Sequence, residues 1–192
     1  MVQGYNSSLP QRVGYGQVEI NHVSAPRTGQ VYAQLPAGSK TGNTFTPIAQ
    51  LEQGQFLKYN YAGGFAGVTG DGEWMLVYNE EKLYDERKQG HKDFVYKAED
   101  FTDGKLYPRL IKTDIGDIYT TNSLTAANTS DSANVTIGTD ATLVVGAYLA
   151  PSTSTGFLTI AQSKPASGMV WKIVKVYTMP DGQPGFKLQR VQ

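Results

Sequence analysis

The stretch from Leu51 to Tyr78 constrains the fold most strongly, because aromatic and β-branched residues are concentrated there between clusters of glycine. It predicts two strands, at residues 55–61 and 73–78, joined by a glycine-rich connection. The connection contains Gly-Asp-Gly at 70–72, which favours a tight turn because glycine reaches positive φ at no steric cost. The second strand is apolar at successive positions, which predicts burial on both faces. We therefore expect this strand pair to lie at the centre of an all-β core.

Further strands are predicted along the rest of the chain, because turn signals recur about every eight to twelve residues. The clearest is MVWKIVKVYT at 169–178, which a turn around Asp181-Gly182 connects to a partner strand at 186–191. The polar stretch at 125–140 predicts a long exposed loop or the tip of a β-ribbon. Because no long helix is indicated, we predict a single β-sandwich or barrel-like domain over residues 51–192. Shorter strands are expected at 93–96, at 106–111, after Gly116, at 142–149 and at 157–161.

Residues 1–50 hold very few charges and four prolines, and only 16–23 and 30–35 alternate enough to predict short strands. A flexible tail is one interpretation, but the segment carries many apolar groups for a solvated linker. We therefore predict an extended N-terminal arm that lies on its own domain or on a partner subunit. Removal of residues 1–24 should then leave a folded, soluble domain that has lost most of its affinity for its assembly, whether its own oligomer or a capsid lattice. The expected contact residues of the arm are Tyr5, Val13, Tyr15 and Ile20.

Residues 80–112 differ from the arm because they contain sixteen charged side chains with both signs interleaved. Such a pattern is typical of a solvated loop or a short surface helix. Asn79 and Gly90 are suitable residues for the start and the end of a helix that runs through Lys88.

The chain as a whole is electrically neutral, with 17 basic and 17 acidic side chains among 192 residues. Proteins that bind nucleic acid or anionic membranes rely on a basic excess, so we expect neither partner. The absence of cysteine excludes a disulfide framework and a cysteine zinc site, and it fits folding in the cytoplasm. The first residues do not have the pattern of a signal peptide, and no run approaches the ~20 apolar residues of a membrane helix.

Side chains that could carry catalysis or bind a metal are few and scattered. The two histidines, His22 and His91, lie far apart, and neither has an H-x-x-E or i+4 partner. The glycines at 63–72 lack the lysine and the following helix of a phosphate-binding loop. We therefore expect no catalytic residue, no metal site and no cofactor-binding residue. Four carboxylate pairs could act as acid and base but lie in polar runs beside basic residues: Glu80/Glu81, Asp85/Glu86, Glu99/Asp100 and Asp114/Asp117.

Aromatic residues are the remaining signal, with 12 tyrosines, 7 phenylalanines and 2 tryptophans. Most aromatic residues in a sheet of this size belong to the core. Tyrosine is also enriched at protein interfaces, because it buries a large apolar body and keeps a polar tip. Exposed tyrosine and tryptophan on a β-sandwich can also stack on sugar rings, so protein binding and glycan binding both stay open.

Four segments resemble structural virion proteins of tailed bacteriophages, and most of all their capsid decoration (auxiliary or cement) proteins: LEQGQFLKYNYAGG, EWMLVYNEEKLY, TDIGDIYTTNSL and KIVKVYTMPDGQPGFKLQRV. The resemblance covers about residues 50–192. It implies a β-rich, non-enzymatic protein on the outer surface of the virion that binds the major capsid protein and stabilises the capsid. It also implies a dimer or trimer with an extended terminal arm on the capsid lattice. The major capsid protein itself is a poorer match, because its fold needs a long spine helix.

Two other functions stay open from the sequence. One is a receptor- or glycan-binding module of a head fibre or tail, which the aromatic content also fits. The other is an enzyme. We consider it the less favoured of the two, because the sequence shows no recognisable set of nucleophile, base or metal ligands.

Overall fold

A computed structural model describes residues 15–24, 31–78, 95–125, 144–161, 163–179 and 182–192. Its regular structure in these ranges consists of β-strands and one short 3₁₀ turn at Ala98–Asp100. The predicted all-β class is therefore confirmed. The predicted helix from Asn79 through Lys88 lies outside the described residues.

The strands in chain order are β1 (Val18–His22), β2 (Val31–Tyr32), β3 (Gly38–Thr41), β4 (Thr44–Pro47), β5 (Gln50–Leu51), β6 (Phe56–Asn60), β7 (Phe65–Gly67), β8 (Trp74–Val77), β9 (Tyr96–Lys97), β10 (Leu110–Ile111), β11 (Ile118–Thr121), β12 (Leu124–Thr125), β13 (Tyr148–Pro151), β14 (Leu158–Ala161), β15 (Trp171–Thr178) and β16 (Pro184–Arg190).

The central strand pair predicted from the sequence is β6 and β8, which pair antiparallel with Leu57 opposite Met75. All four residues of β8 are buried, as the absence of polar positions in this strand predicts. Trp74 and Leu76 contact one hydrophobic core, while Met75 and Val77 contact another. The pair therefore forms a wall between two cores.

A five-stranded sheet with the order β2-β10-β8-β6-β7 surrounds the smaller core. Its two edges approach each other, because the Ala66 N–H donates to the Pro36 carbonyl (2.9 Å) and Ala37 forms a parallel bridge with Ala66. The segment that follows β2 thus reaches β7 and gives this sheet a barrel-like form. The buried residues inside it are Ala37, Leu51, Leu57, Tyr59, Ala66, Met75, Val77, Leu106 and Leu110.

A seven-stranded sheet with the order β1-β11-β16-β15-β13-β14-β12 packs on the other face of β6 and β8. The main core lies between the two sheets, as in a β-sandwich. Its buried residues are Val23, Phe56, Trp74, Leu76, Ile111, Tyr119, Leu124, Leu149, Leu158, Met169, Trp171, Ile173, Phe186 and Leu188.

Several predicted strands are shorter in the structure than the sequence indicates, and two of them show why. Residues 144–147 form a turn with Gly146 at φ +99°, so the strand predicted at 142–149 is wrong there, and β13 begins at Tyr148. In the stretch 106–111 only β10 is a strand, and the preceding Pro108 lacks the N–H that a sheet ladder needs.

Candidate interaction surface

The structure describes two of the four predicted contact residues of the arm. Tyr5 and Val13 lie outside the described residues, while Tyr15 is half-buried at the start of the first described range. Ile20 lies on β1 opposite Tyr119, and its side chain packs against the main core. Residues 18–22 therefore add a strand to the sheet of their own domain.

A cluster of buried polar groups fixes the chain just before β1. The Gly16 N–H donates to the Glu52 carboxylate (2.7 Å), and the Gln17 N–H donates to the Asn122 side-chain oxygen (2.8 Å). The Thr121 hydroxyl donates to the Gln17 carbonyl (2.6 Å). These bonds satisfy backbone groups that would be costly to bury unpaired.

Gly16 has no room for a side chain. A Cβ at Gly16 would overlap both the Ser123 hydroxyl and the Gln53 carbonyl. The Ser123 hydroxyl itself donates to the Gln53 carbonyl (2.6 Å), which holds these two segments together. The cluster is therefore a structural clamp on the first described residues.

The carboxylate pair Asp114/Asp117 has a structural role. One oxygen of the buried Asp117 accepts from the backbone and hydroxyl of Ser24, at 3.1 and 2.8 Å, and the other accepts from the Asp114 N–H at 2.8 Å. The Arg190 guanidinium lies nearby and donates to the carbonyl and hydroxyl oxygens of Thr113. Burial lowers the pKa of Arg190, while the charges of Glu73, Asp114 and Asp117 oppose that effect.

Other candidate ligands and bases lie apart from one another. His22 is exposed at the end of β1, and Glu99 pairs with Lys97 at 3.5 Å on the surface. Within the described ranges, no group of three or more acidic or histidine side chains is arranged to hold a metal ion.

The hairpin formed by β3 and β4 is mostly exposed to solvent. The two strands pair only with each other among the described strands. Gly42 at φ +58° and Asn43 make the two-residue turn, with glycine at the first central position as in type II′ hairpins. From Gly38 to Pro47, every residue is exposed except Gly38 and the half-buried Phe45.

The two faces of this hairpin differ in chemistry. Ser39 is opposite Thr46 and Thr41 is opposite Thr44, so four hydroxyl side chains share one face. The other face carries Phe45, whose ring centroid lies 5.9 Å from the Lys105 ammonium. The hairpin therefore contacts the body at Phe45 and at Gly38, which lies against Gly67 of β7, and it presents a hydroxyl face, which we define as Ser39, Thr41, Thr44 and Thr46.

A second exposed feature is a row of three tyrosine rings. Tyr59 contacts Tyr32 and Tyr61 edge to face, with ring centroids 5.3 and 5.4 Å apart. Tyr59 is buried and Tyr61 is 73% exposed. Burial is the main cause that raises the pKa of Tyr59 above 10.0, although hydrogen bonds from the backbone at Gln34 and Leu35 oppose it.

The sequence analysis missed the hairpin, because its residues fall inside the segment interpreted as an arm. The signal that could have found it is Gly42-Asn43 between two runs rich in threonine. Lys40 and Pro47 would have indicated exposed edges, where proteins often place charge and proline.

A comparison with protein-family models, with curated proteins and with solved structures finds no match for this chain. In the described ranges, no helix is long and apolar enough to cross a membrane. A functional interpretation therefore depends on the residues and surfaces of the chain itself.

Proposed function

We propose that this protein is a non-enzymatic virion protein of a tailed bacteriophage that decorates and stabilises the capsid by binding the major capsid protein. The resemblance of four sequence segments to capsid decoration proteins supports the proposal. Neutral net charge also supports it, because neutrality favours association. The proposed location is the outer surface of the virion, as a dimer or trimer.

The single structural observation that carries this proposal is the exposed hairpin of β3 and β4. A two-stranded hairpin is marginally stable by itself in water, yet this one has a continuous register with nearly all its side chains exposed. An element of this kind can gain stability by contact with another chain. A partner strand can add along β4 through backbone hydrogen bonds, while the hydroxyl face supplies donors and acceptors.

Excision of the hairpin tests the proposal. Gly38 and Pro47 are cross-strand partners, so an Asn-Gly turn can join them in place of residues 39–46. The shortened chain should still unfold cooperatively, because both hydrophobic cores stay intact. Its co-sedimentation with phage heads that lack this protein should weaken at least about tenfold, which corresponds to about 1.4 kcal/mol.

Point variants separate the hydroxyl face from the presence of the hairpin. Thr44→Val with Thr46→Val removes two hydroxyls at exposed positions and should weaken head binding with little change in stability. Thr153→Val, at an exposed threonine outside the hairpin, is the matched control and should bind normally. Full binding by a folded, hairpin-deleted chain would contradict the proposed role of this element.

A receptor- or glycan-binding module is a second candidate, and the exposure of Tyr61 favours it. An exposed tyrosine that rests on a second buried ring offers a rigid flat surface, of the kind that stacks on sugars. A glycan array probed with the natural chain and with Tyr61→Ala tests this function. Binding of defined glycans that disappears in the variant would support this candidate over capsid decoration.

A further inference from the structure

Three lysines lie on the outer face of the seven-stranded sheet. Lys172 and Lys175 are on β15 and Lys187 is on β16, and the positions that alternate with them, such as Ile173 and Leu188, are buried in the main core. Because side chains alternate across a strand, Lys172 beside Ile173 and Lys187 beside Leu188 point away from that core. A β-bulge between Ile173 and Lys175 interrupts the alternation on β15 and places Lys175 opposite Lys187, on the same outer face.

Lys175 and Lys187 are direct cross-strand partners. Cβ atoms of such partners are about 4.5–5.5 Å apart, and like charges in this arrangement are destabilising. Lys172 is opposite Gln189, which is two residues beyond Lys187 on β16. The backbone position of Lys172 is therefore about 7 Å along the strand direction from the Lys175–Lys187 pair. The fold thus brings three positive charges together at a cost in stability.

No carboxylate within the described residues pairs with these lysines. The salt bridges seen there are Lys97–Glu99 and Lys112–Glu73. Instead, two of the lysines lie near tyrosine rings: Lys172 is 5.9 Å from the Tyr148 ring centroid and Lys187 is 5.7 Å from that of Tyr177.

The acidic residue that shares this face is Glu19 on β1. It is opposite Thr120, which is in turn opposite Lys187. Two strand spacings, or about 9.6 Å, therefore separate Glu19 from Lys187 along the sheet. Glu19 is one negative charge on a face with three lysines, so the face keeps a net positive charge.

We propose that this lysine–tyrosine face, defined as Tyr148, Lys172, Lys175, Tyr177 and Lys187, binds an acidic surface of a partner protein. An acidic partner removes the repulsion between Lys175 and Lys187, and the flat tyrosines provide contact area at low entropic cost. A protein fits better than a nucleic acid, because the chain is neutral and only three lysines are available to neutralise phosphates. The inference rests on the proposed function, to which it adds a second contact surface.

The test measures binding of the full chain to a polyglutamate peptide and, in parallel, to phage heads. The natural chain should bind polyglutamate with an affinity that falls as salt is raised. Lys175→Gln with Lys187→Gln should weaken binding to both probes about tenfold. The matched control, Lys97→Gln with Lys164→Gln, removes the same charge elsewhere, at the exposed Lys164 and at Lys97, whose side chain is 43% exposed, and should leave both affinities unchanged.

A second variant distinguishes a loss of binding from a loss of folding. Lys187→Glu converts the repulsive pair into an attractive one, so it should melt at the same or a higher temperature while it loses polyglutamate binding. Equal binding by the two double variants, or tighter binding of oligothymidylate than of polyglutamate by the natural chain, would overturn the inference. If polyglutamate binding requires these lysines but the chain fails to bind phage heads, the proposed function is contradicted and this surface is not.

Discussion

At the scale of single residues, Tyr119 is the most unusual member of the main core. It is 0% exposed, its ring meets Trp171 edge to face at 4.8 Å, and its hydroxyl has no hydrogen-bond partner among the described residues. Burial raises its pKa well above 10.0. A buried hydroxyl without a hydrogen-bond partner normally lowers stability. We therefore expect the aromatic ring of Tyr119, and not its hydroxyl, to stabilise the core.

Tyr119→Phe tests this interpretation by chemical denaturation. At neutral pH the variant should be as stable as the natural protein or more stable by about 1 kcal/mol, because it removes an unpaired polar group. The unfolded chain ionises this tyrosine near pH 10.0, whereas burial keeps the Tyr119 hydroxyl of the folded chain protonated to higher pH. Ionisation of Tyr119 therefore leaves the free energy of unfolding of the natural protein unchanged below pH 10.0 and lowers it as pH rises toward the folded pKa. The variant should therefore lose less stability than the natural protein above pH 10.0.

Tyr61→Phe is the control for Tyr119→Phe, because the Tyr61 side chain is exposed and removal of its hydroxyl should change stability little. A loss of more than about 1 kcal/mol in Tyr119→Phe at neutral pH would show that the hydroxyl has a partner.

Trp74 gives the second residue-scale prediction. It is only 9% exposed, it faces the main core, and the Lys58 ammonium lies 4.8 Å from its ring centroid. Trp74→Ala should lower the free energy of unfolding by about 3–5 kcal/mol, as for other large-to-small changes in cores. Urea unfolding measures the change, with Tyr61→Ala as the exposed aromatic control. A loss below about 1 kcal/mol would place the Trp74 ring on the surface.

At the scale of elements, the strands with strong local signals could be predicted from the sequence. β6, β8, β15 and β16 appear where aromatic and β-branched runs lie between turn residues, and β8 is buried on both faces as its pattern indicates. β7 was missed because Phe65–Gly67 has one large apolar residue and lies within a glycine-rich stretch. The bridge between Ala37 and Ala66 joins segments that are far apart in the sequence. Because both residues are small and the bridge is isolated, the sequence contains no periodic hydrophobic pattern that would predict it.

The candidate surfaces were harder to predict than the strands, for a physical reason. The lysine–tyrosine face depends on which residues of β15 and β16 lie opposite each other, and a bulge between Ile173 and Lys175 shifts that register. Tyr15 and Ile20 were identified as contact residues from their apolar character alone. The structure adds that Ile20 contacts its own core, while a role of either residue in binding a partner stays a prediction.

Truncation of β1 tests the contribution of this edge strand. Deletion of residues 1–24 removes Val23 and the half-buried Val18 and Ile20 from the main core, together with the strand that pairs with β11. We expect it to lower the free energy of unfolding by about 3 kcal/mol or more, since each lost apolar contact leaves space in the core. Deletion of residues 1–14 retains β1 and its clamp and serves as the control in the same denaturation experiment. Equal stability of the two truncated chains would show that β1 contributes nothing to the fold.

At the scale of the whole molecule, strands β6 and β8 are shared by two hydrophobic cores, and the two surfaces proposed for binding lie outside both cores. β6 and β8 lie between the smaller core and the main core and contribute side chains to both. Both cores therefore depend on these two strands, which have five and four residues. The exposed hairpin adds little to either core, and the lysine–tyrosine face is on the far side of the seven-stranded sheet. A chain with zero net charge thus carries a local positive face, which neutrality of the sequence alone does not reveal.

The central proposal is that this protein is a structural component of a phage virion. Quantitative mass spectrometry of heads purified from a tailed phage whose genome carries this sequence tests the proposal most directly. We expect the chain to remain with purified heads in a fixed ratio to the major capsid protein, as binding to a repeated lattice requires. Absence of the chain from purified heads, while it is abundant in the infected-cell lysate, would contradict the claim.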